Sequence, residues 1–455
     1  MKTQKNIEYT PTSNACKLCS PLGASLVFRG IEKSVPLIHG SQGCSTYIRR
    51  YLISHFNEPV DIASSNFTEE TAVFGGGANL KLAVDNIIKQ YEPEVIGVST
   101  TCLSETIGDD VHLILKDYNK YNSGKISPAI VSVSTPSYSG THIDGFHGAV
   151  KAVVDSMAVK KKNKEAKHVN IFPGMLSPED LRHIKEIFYD FRVDHIMLPD
   201  YSQTLDGPMW SEYQKIPEGG TTIKEIASMG DALAGIELGR ILAEEKSAGK
   251  SMQDRFQVPC HSLGIPIGIN ETDAFFNAVS NITGKPVPEK YNQERGRLID
   301  SYADGHKYVF GARAVVYGEE DLVVGLASFL SEIGIIPVLC ASGGKSGHLK
   351  SKLCQVIDNF DAKEIEILDG VDFVDIGDAA KKLSPDFLIG SSKGYKIAKK
   401  LNKPLIRIGF PIHDRMGGAR ILHIGYKGAQ QLFDTISNTI IASKQDASPV
   451  GYTYM

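Results

Sequence analysis

The sequence predicts an α/β protein made of three Rossmann-like domains with mostly parallel sheets. Three observations carry this. At 455 residues the chain exceeds one comfortable core, and about 150 residues per domain gives three. Short apolar runs alternate with amphipathic segments along most of its length, as in parallel strands covered by helices. Several of those runs end in small polar residues, where ligands gather in open α/β sheets.

In the first domain, 1–165, "EVIGVSTTC" (94–102) and "AIVSVSTPS" (129–137) read as buried strands, with "GGANLKLAVDNIIKQY" as a helix before them. The lysine-rich "VKKKNKEAK" (159–167) reads as a solvated linker and marks the first boundary. The second domain, 166–310, opens with a βαβ unit: "HVNIFPG", a helix from "SPEDLRHIKEIFYDF", then "VDHIMLPD". Its Ser-Pro-Glu-Asp start puts a proline and two acids in the first helical turn, as the helix dipole favours. The third domain, 311–455, supplies "ARAVVYG", "IIPVLCASGG", "PDFLIGSS" and "PLIRIGF" as strands, with helices between them and at its end. Its most apolar window, "DLVVGLASFLSEIGIIPVLCA" (321–341), is interrupted by Ser331, Glu332 and Gly334. It therefore reads as a buried helix followed by a strand, not a membrane span.

Composition narrows the function. Charged residues make up 22% and the formal net charge is −4, so no basic footprint for nucleic acid appears. The first residues lack an apolar signal core, which predicts a cytoplasmic protein without a membrane anchor. Seven cysteines, an odd number, argue against a disulfide framework and for ligands or core fillers.

Several motifs fail their own tests. "LCASGGKSGHLK" (339–350) resembles a phosphate loop, but the position five before Gly344, where a glycine is required, is Leu339. "FGGGANL" lacks the dinucleotide spacing. The 13 histidines contain no H-E-x-x-H pair and the serines no G-x-S-x-G elbow. His39, His142 and His147 read as hydrogen-bonded structural residues.

The cysteines say more. Cys260, Cys340 and Cys354 lie in or beside apolar segments and read as packing. Cys19 precedes "SPLGA", Cys44 follows "GSQG" and Cys102 ends "EVIGVSTTC", so three thiols could converge at one sheet edge. A four-cysteine zinc site is the alternative, but only Cys16 and Cys19 have knuckle spacing. An iron–sulfur cluster fits better, because backbone amides in glycine-rich turns stabilise its negative charge. Gly40 and Gly43, flanking Cys44, are expected to let the main chain approach such a core closely. Three thiolates are one short of the usual four, which predicts a cage completed by another polypeptide.

The ordered motifs "CSPLGA", "PLIHGSQGC", "HFNEPVDIASSNFTEETAVFGGGANL", "STTCLSETIGDD", "STPSYSGTHIDGF" and "GFPIHDR" followed by "GYKGA" resemble β-type chains of the nitrogenase component 1 superfamily, over about residues 15–440. Within it the tail and the 294–344 segment are most similar to the iron-molybdenum cofactor assembly branch (NifN-like), with the catalytic molybdenum-iron β branch as the alternative.

The first branch implies a scaffold for maturing a cofactor precursor. It implies an α2β2 heterotetramer with a NifE-like α-type partner, transient docking of the nitrogenase iron protein, a precursor donor, and a 4Fe-4S cluster shared at the subunit boundary through Cys44. The catalytic branch implies an 8Fe-7S P-cluster used for electron transfer. On this resemblance Cys19 and Cys102 match two further cluster thiolates, Ser137 in "TPSY" matches the cluster's redox-switchable serine ligand, and Cys16 is a spare thiol.

Overall fold

The computed structural model describes residues 15–121, 128–161, 167–357 and 365–450. The central part of the lysine-rich linker, 162–166, lies outside them. Three sheets organise these residues, and every strand pair within them is parallel.

The first sheet comprises β1 (Ser34–His39), β2 (Ala63–Ser64), β3 (Val95–Thr100) and β4 (Ala129–Val133), in the order β2-β1-β3-β4. All residues of β1 and β3 are buried, as expected when helices cover both faces of a parallel sheet. Those helices are α1 (Ser20–Arg29), α2 (Gln42–Phe56), α3 (Glu69–Phe74), α4 (Gly77–Tyr91), α5 (Cys102–Ile107), α6 (Val111–Tyr121) and α7 (His142–Met157).

The second sheet, β5 (His168–Phe172), β6 (Asp194–Met197), β7 (Ala234–Leu238) and β8 (Cys260–Leu263), runs β6-β5-β7-β8. With it come α8 (Pro178–Asp190), α9 (Ile223–Ser228), α10 (Ala248–Phe256), α11 (Gly268–Thr283) and α12 (Glu289–Val309). Helix α8 starts as its sequence predicts: Ser177 caps it reciprocally with Asp180, and Pro178 stands in the first turn.

The third sheet holds β9 (Arg313–Gly318), β10 (Ile336–Ser342), β11 (Glu366–Leu368), β12 (Phe387–Gly390) and β13 (Leu405–Arg407), ordered β11-β10-β9-β12-β13. Its helices are α13 (Glu320–Glu332), α14 (Leu349–Val356), α15 (Phe373–Leu383), α16 (Tyr395–Leu401) and α17 (Gly425–Ala447). The apolar window 321–341 is indeed α13 followed by β10, both almost wholly buried. Among the described residues no helix is long and apolar enough to cross a membrane.

The largest packing cluster takes residues from all three regions, so the sheets share one continuous core. Two close helix crossings set the geometry that matters below. A Cβ on Gly23 of α1 would lie 1.7 Å from the carbonyl oxygen of His142 in α7, and one on Gly145 of α7 would lie 1.9 Å from that of Ser20. Only two bare backbones can approach so closely. The amino ends of α1 and α7 are consequently pinned side by side, and two hydrogen bonds reinforce them: His142 N–H donates to Leu18 O at 3.0 Å, and Leu18 N–H donates to the imidazole Nδ1 of His142 at 3.4 Å.

Candidate metal centre

In the first sheet the chain runs from β1 outward to β2 and then crosses back to β3 on the opposite side of β1. The crevice at the carboxyl ends of β1 and β3 is therefore the switch point, where open α/β sheets place their ligands. Cys44 follows β1 into the first turn of α2, and Cys102 is the first residue of α5 after β3. Cys19 arrives from outside the sheet, as the residue capping α1. Three cysteines thus stand at the amino ends of three helices, where exposed N–H groups and the helix dipole favour negative charge.

Side chains around them are firmly placed. Thr101 donates to His39 O at 3.1 Å and forms a reciprocal cap with Ser104, which ties the β1 loop to the start of α5. Glu105 accepts from Thr100 Oγ1 at 2.5 Å and Ser134 Oγ at 2.6 Å, linking the ends of β3 and β4. Ser137 joins the cysteines from the loop after β4: its N–H donates to Cys102 Sγ at 3.2 Å, and its hydroxyl accepts from Ser20 N–H at 3.1 Å. Ser41 Oγ lies 3.6 Å from Cys44 Sγ.

The thiols lie close enough to feel one another. Burial raises the Cys19 pKa, a hydrogen bond with Ser137 opposes this, and the charges of Cys102 and Cys44 raise it further. Bound iron would offset the repulsion among sulfurs gathered in this way. Among the described residues no three His, Cys, Asp or Glu side chains close on a single metal ion. Three sulfur donors that do not close on one ion are the kind of set a polynuclear cluster, whose width separates its ligands, would take. Cys102 is exposed, Cys19 and Cys44 are half-buried, and the exposed apolar residues Leu103 and Tyr138 adjoin them, with Val73 and Phe74 on the neighbouring α3. Exposed apolar side chains around an open edge of the sheet make the kind of surface that a partner covers.

The two glycines differ from one another. A Cβ on Gly40 would lie 2.4 Å from Thr101 Oγ1, so its bare backbone serves the packing of the two cysteine-bearing loops rather than an approaching cluster. Gly43 faces open space, with Ser41 Oγ at 3.7 Å as its nearest neighbour. Cys16 turns away toward the third sheet and a cavity of about 550 Å³ between the three regions, where burial pushes its thiol up to about 12. Cys340 is buried as expected, but Cys354 is exposed on α14, because it falls on the outer face of a helix whose Leu349 and Leu353 face inward. His39 bonds Ser65 and Asp109 at 3.1 Å each. His147, by contrast, lines the cavity, and its imidazole has no hydrogen-bond partner among the described residues.

Residues 19–441 match the family described as nitrogenase component 1 type oxidoreductase. The chain belongs to that family. It is 37% identical over 428 residues to the nitrogenase molybdenum-iron protein beta chain of Clostridium pasteurianum, covering 94% of this chain and 93% of that one. It is 38% identical over 445 residues to the corresponding chain of Methanococcus maripaludis, covering 95% of each. It is 34% identical over 437 residues to the nitrogenase vanadium-iron protein beta chain of Trichormus variabilis, covering 94% and 93%. A solved structure described as nitrogenase Cp1 at pH 6.5 superposes with a TM-score of 0.93 at 34% identity, over 100% of this chain and 98% of that one. Within nitrogenase component 1 this is a β-type chain. These relatives are named as nitrogenase beta chains, so they favour the catalytic expectation and lend nothing specific to the assembly branch.

Proposed function

We propose that this chain is the β-type subunit of a catalytic nitrogenase component 1, relaying electrons through an iron–sulfur cluster of the P-cluster kind. Cys19, Cys44 and Cys102 supply its thiolates, with Ser137 as the adjoining oxygen donor. The observation that carries this reading is the meeting of those three thiols at one open edge of the first sheet. When bound, such a cluster accepts and passes electrons without making bonds to a substrate.

The chain's own part is to hold and orient. Three helix amino ends set their positive dipole ends beside the negative charge that a thiolate-bound cluster would carry, and the ties through Thr101, Glu105 and Ser137 fix the thiols before metal arrives. The α1–α7 crossing fixes Cys19 against Ser137. The remaining ligands come from an α-type partner laid on the apolar rim, in an α2β2 assembly supplied with electrons by the nitrogenase iron protein in the cytoplasm. The full set of three thiols and a serine supports this over a NifN-like scaffold paired with a NifE-like chain.

The test is to co-express the chain with its α-type partner, purify the complex without oxygen, and measure iron and acetylene reduction. The reading predicts turnover with the iron protein, and loss of both iron and turnover in Cys44→Ala. A complex that reduces no acetylene but transfers a cofactor precursor to a cofactor-free component 1 would establish the scaffold role instead. Iron content unchanged in Cys44→Ala would remove the ligand assignment.

A further inference from the structure

Beside the thiol site stands a cation without a counter-ion. Lys393 sits in a single helical turn at the carboxyl end of β12, at the switch point of the third sheet, between β9 and β13. It is half-buried. Its Nζ lies 3.4 Å from the carbonyl oxygen of Ala15, in the segment leading to Cys19, and 5.4 Å from the ring centroid of Tyr51, two turns beyond Cys44 on α2.

No carboxylate lies within ion-pair distance of Lys393 among the described residues. Asp414, which bonds the adjacent Ser392, is held by Arg407 through two guanidinium nitrogens. Asp372, whose backbone pairs with Ala15, accepts from the N–H groups of Val374 and Asp375. The turn itself is rigid: Tyr317 donates to Ser391 O at 2.5 Å and Ser392 N–H to Pro411 O at 3.0 Å. Holding an ammonium partly out of water with only a carbonyl and a ring for company is costly unless negative charge stands nearby. Ala15 precedes Cys19 by four residues and Tyr51 follows Cys44 by seven, so the Lys393 ammonium stands between the two segments that carry these cysteines.

We propose that Lys393 is the counter-charge of the cluster held by Cys19, Cys44 and Cys102, and that it raises the cluster's reduction potential. The inference rests on the cluster reading above and adds a residue to it. One-electron reduction by a low-potential donor places one more negative charge on the cluster. Lys393 forms no bond and carries no electron, so its effect is purely a field that favours the reduced state.

The experiment compares the complex with its Lys393→Met and Lys393→Arg variants, purified without oxygen, by iron content and by a redox titration followed by electron paramagnetic resonance. Lys393→Met is expected to lower the reduced-to-oxidised ratio at a fixed potential about tenfold, which for a one-electron couple is a midpoint about 59 mV more negative. Lys393→Arg is expected to hold the midpoint. An unchanged midpoint in Lys393→Met at equal iron content overturns the proposal, as does an equal shift or equal loss of iron in both variants, since either would mean packing rather than charge. Absence of iron from the unsubstituted complex would instead overturn the cluster reading beneath it.

Discussion

Substituting alanine for two glycines of the same helix should have opposite effects. On α7, a Cβ at Gly145 would lie 1.9 Å from the carbonyl oxygen of Ser20 and 2.6 Å from its carbon, whereas one at Gly148 would meet only Val133 Cγ2 at 3.6 Å. A carbon–oxygen contact needs about 3.3 Å, so Gly145→Ala must drive α1 and α7 apart by more than an ångström. The obstacle is main chain and cannot rotate away. Overpacking of this kind costs about 1–3 kcal/mol. Separation also strains the Ser20–Ser137 hydrogen bond and the Leu18–His142 pair, each worth about 1 kcal/mol. Together these give about 3–5 kcal/mol. Gly148→Ala should instead stabilise α7 by up to about 1 kcal/mol, through helix propensity alone. Native-state hydrogen exchange of the α1 and α7 amides in the complex reads both local free energies. Equal effects from the two substitutions, or protection within about 0.5 kcal/mol of the parent in Gly145→Ala, would refute the crossing as what positions Cys19.

Other outcomes follow from the same geometry. Cys16→Ala should leave iron content unchanged, because that thiol faces the third sheet; iron loss matching that of Cys19→Ala would place it in the cage. Glu105→Ala removes the acceptor shared by Thr100 and Ser134, and should cost about 1–3 kcal/mol, seen as faster hydrogen exchange over residues 134–137. His55 is buried and its pKa is depressed to about 3, while Nδ1 accepts from the Ile412 N–H at 2.9 Å. Between that value and about 6.5 the unfolded chain binds the extra proton, so stability rises with pH and falls on acidification, by about 2 kcal/mol between pH 6.5 and 5. Exchange protection of the Ile412 amide should decline over that range, and a flat profile would contradict the assignment.

Much of the architecture was legible because parallel strands buried on both faces must be continuous apolar runs. Val95–Thr100, Ile336–Ser342 and the α8 start at Ser177 all fall where pattern and capping chemistry place them. The two-residue β2 and the edge strand β8, with its half-exposed Cys260–Leu263, carry no such run and were invisible. Position within a helix turn also decides what an apolar neighbourhood cannot, which is why Cys354 faces solvent. At the site, the cysteines after β1 and β3 could be foreseen from the sheet-edge rule. Two features could not. The bare backbone of Gly40 answers to Thr101, some 60 residues along the chain. The contribution of Lys393 depends on the third sheet folding back against residue 15, a contact that leaves no local pattern.

The central claim is that iron is gripped jointly by sulfur from this chain and by a second chain across the open edge of the first sheet. Anomalous diffraction at the iron absorption edge, from crystals of the complex grown without oxygen, locates the metal directly. Peaks bonded at once to Cys19, Cys44 and Cys102 Sγ, with further ligands from the partner, are the predicted result. Iron absent from that edge, or bound without these three thiols, would contradict the account.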